Sequence, residues 1–282
     1  MNTIFEPRKF SLNVKGKLYD LSKPKIMGIL NMTPDSFSDG GKFNSEENAL
    51  KHAEQMVREG ADIIDIGPQS TRPGSEIIPA SEEIRRTGKI IRNIKTEFPE
   101  TLISLDTFYA ETVRFGFDEG IDIINDISAG QFDQEMFDTA ANTGLPYILM
   151  HVNSSYAEMH RKNEHDDIVL DVNKFLLKKS AELLQKGVKD IILDPGFGFG
   201  KTVEDQFRLL EETEHIGLGK FPVLIGISRK SFIYKPLGKA ANEVGAETAE
   251  LHRKVLKKGA NILRVHDVAT ARKLVEESIA DQ

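Results

Sequence analysis

The sequence predicts the α/β class and, within it, a (β/α)8 barrel (TIM barrel) whose bottom is closed by an N-terminal β-hairpin. Three observations lead there. From Lys25 onward, short apolar runs alternate with longer amphipathic stretches, and they do so eight times. The runs are apolar on successive residues and rich in β-branched side chains, as strands buried on both faces are. The length of 282 residues suits one barrel of this kind. With no linker or low-complexity tract in view, residues 1–282 are expected to form a single domain.

The strand runs are 26–30, 63–67, 102–106, 121–127, 146–152, 190–194, 222–227 and 261–266. Between them, Ile84, Ile91, Ile94 and Phe98 recur at helical spacing behind Ser81, a candidate N-cap followed by Glu82 and Glu83. Ile168, Val172, Phe175 and Leu183 mark a helix ending at Gly187, and Val244, Thr248, Leu251 and Val255 another ending near Gly259. Alternation at this spacing implies right-handed βαβ units and a parallel sheet. By count alone an open doubly wound sheet fits as well, but closure removes both unpaired edges and is preferred. Residues 11–21 alternate in character around Gly16 and predict the hairpin that plugs the bottom.

A net charge of −7 argues against a nucleic-acid surface, which needs clustered Lys and Arg to displace counterions. A few converging basic side chains still suffice to bind a phosphate in an acidic protein. The chain has no cysteine, which excludes disulfides, thiolate metal sites and a cysteine nucleophile. It shows no signal-like or membrane-length apolar run, so a cytoplasmic protein is expected.

In a barrel the chemistry sits at the C-terminal ends of the strands, and here every run ends in polar or glycine-rich residues. Taken singly these have plain explanations: Asp126 and Asp267 read best as N-caps of the following helices. The set is harder to dismiss. Asp106, Asn125 and Asp194 are expected to point inward from three strand ends, with Arg72, Lys230, Arg264 and His266 near the same rim. Burying such groups without a ligand costs roughly 1–3 kcal/mol for each one left unsatisfied. The carboxylates and amide suit a flat heterocycle bearing guanidine-like N–H groups, and the basic residues suit an anion.

Two phosphate motifs fail. Gly200-Lys201-Thr202 ends like a P-loop, but Pro195 stands where that motif needs glycine. Gly196, Gly198 and Gly200 miss the dinucleotide spacing, so neither an ATPase nor a dinucleotide-dependent dehydrogenase is supported. No histidine pair has convincing zinc-ligand spacing. A Mg²⁺ held mostly by water and substrate phosphates leaves almost no sequence trace; Asn31 is placed to give it one oxygen.

Seven segments in order, from about Ile26 to Val268, resemble the dihydropteroate synthase family. They are Asn31-Met-Thr-Pro-Asp-Ser-Phe-Ser-Asp-Gly-Gly, Ser70-Thr-Arg-Pro-Gly, Ser104-Leu-Asp-Thr, Ile124-Asn-Asp-Ile, Asp194-Pro-Gly-Phe-Gly-Phe-Gly-Lys, Ser228-Arg-Lys-Ser-Phe and Arg264-Val-His-Asp. The resemblance implies a transferase of folate biosynthesis. Dihydropterin pyrophosphate and p-aminobenzoate would give dihydropteroate and pyrophosphate, with Mg²⁺, usually in a homodimer and with sulfonamides competing for the amine pocket.

Position by position, the resemblance implies that Asp106, Asn125, Asp194 and Lys230 hold the pterin, with Arg264 stacking on it. Thr71, Arg72, Arg264 and His266 would take pyrophosphate, and Asn31 the metal. Phe37, Thr71, Pro73, Phe199, Lys230 and Ser231 would line the p-aminobenzoate pocket; Asp106, Lys230 and Arg72 carry the catalytic burden. The chain departs from the family pattern in three places: Gly67-Pro68-Gln69 for Gly-Gly-Glu, the run after His151, and a more charged helix near Glu247. A pterin-binding methyltransferase is the alternative enzyme, but it needs neither the Ser-Thr-Arg loop nor the Arg264/His266 pair. A non-catalytic pterin-binding protein would not need Lys230 or Arg72, and both are present.

Overall fold

The computed structural model describes residues 9–33, 41–152 and 155–280, with backbone alone for 41–45. A hairpin of β1 (Ser11–Val14) and β2 (Lys17–Asp20) leads into β3 (Lys25–Asn31) and α1 (Gly41–Arg58). Then follow β4 (Ile63–Gly67), α2 (Ala80–Glu97), β5 (Leu102–Asp106), α3 (Ala110–Glu119), β6 (Ile123–Asp126), α4 (Met136–Thr143) and β7 (Tyr147–Met150). The second half holds α5 (Ile168–Lys186), β8 (Ile191–Asp194), α6 (Val203–Glu211), β9 (Leu224–Ile225), the short α7 (Ser231–Tyr234), α8 (Gly245–Lys257), β10 (Ile262–Val265) and α9 (Val268–Ala280).

The eight barrel strands run in the order β8-β7-β6-β5-β4-β3-β10-β9, all parallel. A parallel bridge between Leu193 and Val223 joins the two ends of that series. The barrel is therefore closed, as expected.

Strand residues two apart face the same side, and that period sorts the side chains. Ile64 and Ile66 of β4, Ile103 and Leu105 of β5, and Leu263 and Val265 of β10 join the large core between sheet and helices. One residue out of phase, Met27, Ile63, Ile123, Ile148, Ile192, Leu224 and Ile262 meet at the strand starts. They pack on Leu12, Val14 and Leu21, so the hairpin segment seals this end of the barrel with apolar side chains.

Backbone donors at the same end find carboxylates and amides. Asp62 accepts from the Ile26 N–H at 2.8 Å, Asp122 from Ile103 at 2.8 Å and Asn261 from Val223 at 2.9 Å. Asp190 accepts from the Asn13 N–H at 3.0 Å and ties the hairpin on. Buried backbone donors need such partners.

Some local expectations need correction. The run 222–227 yields only Leu224–Ile225 as strand, because Pro222 has no N–H for a ladder and the chain already turns at the Lys230 N–H to Ile227 O bond. Ser81 is not an N-cap: α2 opens at Ala80 behind Pro79, whose carbonyl accepts from Glu82 and Glu83. Asp126 does not cap α4, which starts only at Met136; it closes a turn by accepting from the Ser128 and Gly130 N–H groups and the Tyr147 hydroxyl. Asp267 does cap α9, accepting from the Thr270 N–H at 3.0 Å. The helix of Ile168 and Leu183 ends at Gly187, in the left-handed conformation, as predicted.

One glycine fixes a whole loop. Gly196 has φ +73°, and a methyl group there would overlap the carbonyl oxygen of His151. Gly196→Ala should therefore cost about 2 kcal/mol or more, from left-handed strain plus the displaced backbone; urea unfolding checks it.

Candidate active site

The inward residues change character toward the strand ends. Above the apolar layer, β4 presents Asp65, fully buried, and β10 presents Arg264. The Arg264 guanidinium lies between two carboxylates: Nε donates to Asp65 Oδ2 at 2.6 Å and Nη2 to Asp106 Oδ2 at 2.7 Å. Asn125 Nδ2 donates to both Asp65 oxygens at 3.2 Å. Four strands, β10, β4, β5 and β6, are thus joined by one polar network inside the barrel.

Asp194 ends β8 nearby, its Oδ1 accepting from the Gly196 N–H at 2.7 Å. Burial raises both Asp106 and Asp194 above the usual carboxylate range, opposed in each by the Arg264 and Lys230 charges. Burial, with Arg264 beside it, lowers Lys230 to about 8. The Lys230 ammonium also lies over the Phe199 ring, 4.7 Å from its centroid. Asn31, at the end of β3, is half-buried; its Oδ1 and Asp106 Oδ2 face the same gap, 3.5 and 3.9 Å from where a Cβ on Gly67 would lie.

A second surface is basic. His266 follows β10, and its Nδ1 is 3.0 Å from Ser228 Oγ. Burial pushes this imidazole down to about 3, helped by the charges of Arg229, Arg264, Lys230 and Arg72. Four cations converge on a neutral histidine, which makes this spot receptive to an anion. Arg72 and Pro73 are exposed on the loop after β4, Thr71 is half-buried there, and Ser231 is half-buried at the start of α7. Phe37 lies outside the described residues.

Several residues of the site were not singled out from the sequence. Asp65 lies within the apolar run 63–67, and its apolar neighbours disguise it. Lys201 is 4% exposed, and its ammonium turns inward: it donates to Gly196 O and His151 Nδ1, both at 2.9 Å, and to Phe199 O at 3.1 Å. Thr202 instead caps α6 with Asp205. Buried Glu83 of α2 meets the Thr107 hydroxyl at 2.5 Å, directly behind Asp106. These contacts arise from folding, and nothing in the local sequence marks them.

A family model described as "Pterin binding enzyme" matches residues 27–266. The chain is 42% identical to the dihydropteroate synthase of Streptococcus pyogenes serotype M3 over 265 residues, 92% of this chain and 96% of that one. The chain belongs to the dihydropteroate synthase family. Its activity is that of the family, a transferase step of folate biosynthesis.

Solved members agree in shape. The Xanthomonas albilineans dihydropteroate synthase with 4-aminobenzoic acid superposes with a TM-score of 0.90 at 35% identity, covering 99% of both chains. The same enzyme in complex with 7,8-dihydropteroate gives 0.86 at 33% identity, covering 97% of this chain and 99% of that one.

Two outcomes follow from the network. Asp65→Ala leaves Arg264 buried with one partner fewer, so the folded state should lose about 3–5 kcal/mol in denaturant titration. The pH dependence has a definite sign. His266 and His252 are held neutral to about 3 and about 4, against 6.5 for an ordinary histidine. Below 6.5 the unfolded chain takes protons that the folded chain refuses. Their contribution is therefore full above pH 6.5 and progressively lost as pH falls from 6.5 toward 3, and the melting temperature should drop over that window.

Proposed function

We propose that this site joins a dihydropterin pyrophosphate to p-aminobenzoate, giving dihydropteroate and pyrophosphate. The observation that carries the proposal is the abutment of two unlike surfaces on one rim: the buried Asp65–Arg264–Asp106 network beside the cations around His266. Asp106, Asn125 and Asp194 would meet the N–H edge of the pterin, Lys230 its carbonyl, and the flat guanidinium of Arg264, fixed by two carboxylates, its ring face. Thr71, Arg72, Arg264 and His266 would take the pyrophosphate. Phe37, Thr71, Pro73, Phe199, Lys230 and Ser231 would line the amine pocket. That solved relatives carry 4-aminobenzoic acid and dihydropteroate supports both halves.

In the proposed step the bond between the pterin methylene and the pyrophosphate oxygen breaks. Negative charge grows on the leaving group, and Arg72 and Arg264 stabilise it from fixed positions. Asp106 offsets the positive charge on the pterin. The neutral amine nitrogen bonds to the methylene carbon and releases a proton, and no residue serves as a covalent nucleophile.

Mg²⁺ belongs to the same proposal. Asn31 fits it: a hard amide oxygen faces the gap over Gly67, and the described residues hold no group of three His, Cys, Asp or Glu that would cage a metal. One protein oxygen with water and phosphates completing the shell is normal for this ion. When bound, it would neutralise charge on the leaving pyrophosphate.

We extend the proposal, on the family likeness, to a homodimer in the cytoplasm. Phe207 on α6 and Leu237 between α7 and α8 are exposed apolar side chains that a partner could cover; light scattering at micromolar concentration tests the mass.

The deciding measurement is pyrophosphate release with Mg²⁺, with and without p-aminobenzoate. Release coupled to dihydropteroate, with kcat/KM about 100-fold lower in Arg72→Ala, is expected for a lost charge-stabilising group. Tight pterin binding without product at any amine concentration would overturn the proposal.

A further inference from the structure

The segment between β7 and α5 touches two walls of the proposed amine pocket at once. The His160 imidazole stacks on the Phe199 ring, 5.2 Å between centroids and 17° between planes. Its Nε2 is 2.8 Å from the carbonyl oxygen of Thr71. A carbonyl only accepts, so this nitrogen carries the hydrogen and donates it. The other ring nitrogen, Nδ1, is buried with no hydrogen-bond partner.

The loop held by this bond carries Thr71, Arg72 and Pro73, and Arg72, Pro73, Gly74 and Glu76 are all exposed. Its far end is secured separately: Gln69 Oε1 accepts from the Ile78 N–H at 3.0 Å, and Tyr109 donates to Ile78 O at 3.0 Å. The tip has less. Beside the His160 bond it has contacts of 3.3 and 3.5 Å from the Tyr156 hydroxyl to Ser75 O and Ser70 O. Phe199 is itself fixed from below by the buried Lys201 ammonium on its carbonyl. His160 is thus the one described side chain bonded to the loop tip and stacked on the fixed aromatic wall.

We propose that His160 is a positioning residue for the amine half of the reaction: it holds the Thr71–Pro73 loop at a set distance from Phe199, so that the arylamine meets a preformed slot. The idea rests on the amine pocket assigned above. The pterin floor is built from strand ends whose hydrogen bonds do not include His160. Without the tether the loop spends less time in the competent arrangement, and the apparent affinity for the amine falls by that fraction.

Three variants separate the parts: His160→Phe keeps the stack and removes the donor, His160→Gln keeps a donor and removes the stack, and His160→Ala removes both. The KM for p-aminobenzoate should rise about 5- to 10-fold in the Ala and Phe variants, the scale of one lost hydrogen bond, and recover partly in Gln. kcat at saturating amine and the calorimetric Kd for a hydroxymethylpterin should stay within about 2-fold, while sulfonamide inhibition weakens in parallel with KM.

An unchanged amine KM in both Ala and Phe would overturn the idea. So would equal losses in amine KM and pterin affinity, which mark a merely structural histidine. Should Ala fail to fold, Phe and Gln still decide. Failure of the wild-type chain to form product would instead remove the function proposed above, so the two failures are distinct.

Discussion

The guanidinium of Arg264, buried between the carboxylates of Asp65 and Asp106, is the contact on which the top of the barrel depends. Two buried carboxylates pointing into one interior repel each other, and each loses hydration. A planar fork with donors at fixed spacing bonds to both and fixes the angle between them. Arg264 stands on β10, and its partners on β4 and β5, so the network spans β3 between them. Asn125 carries the network on to β6 by donating to the same Asp65. Such a cluster gives less stability than a well-packed apolar one would. What it provides is a rigid, flat, polar floor, and that floor is what a heterocycle needs.

The division between stability and chemistry follows from the two-residue period of the strands. On β4, Ile63 joins the apolar layer under the hairpin, Asp65 sits one step above it, and Gly67 leaves space at the rim. β10 repeats the progression with Ile262 and Arg264, β6 with Ile123 and Asn125, and β8 with Ile192 and Asp194. The apolar layer needs a lid, which Leu12, Val14 and Leu21 supply. The polar layer needs a ligand. Glu83, raised to about 7 chiefly by burial, extends the same logic outward: it reaches Thr107 from α2 and places an acid behind Asp106.

The period-2 sorting explains which parts could be read from the chain. Eight apolar runs, the hairpin and the helix end at Gly187 depend on residues close in sequence, and they were legible. So were Asp106, Asn125, Asp194 and Arg264, because a polar residue closing an apolar run has few other uses. Strand lengths were less so: Pro222 shortens β9 by removing a donor, and hydrophobicity does not register that. Ser81 looked like a cap because its type is right, yet Pro79 already sets the start of α2. Asp65 was hidden by its apolar neighbours, and its role becomes visible only with an arginine about 200 residues away. Lys201 was written in a glycine-rich motif that suggests phosphate, but its three acceptors come from the loop and from His151, just after the neighbouring strand. His160 had no local mark at all, since both its contacts are long-range.

The basic rim shows why a summed charge of −7 does not decide what such a protein binds. Burial, helped by the charges of Arg229, Arg264, Lys230 and Arg72, keeps one imidazole neutral far below its ordinary range. Burial and the neighbouring Arg264 charge together also lower Lys230. A polyanion at that position reverses every one of these interactions at once. Repulsion becomes attraction, the histidine can accept a proton, and the lysine is held charged. The site is therefore least comfortable when empty, and the relief on binding falls at the place where a departing pyrophosphate would gather its charge. The cations come from the loop after β4, the loop after β9 and strand β10 itself, so such a ligand would bridge elements far apart in the sequence.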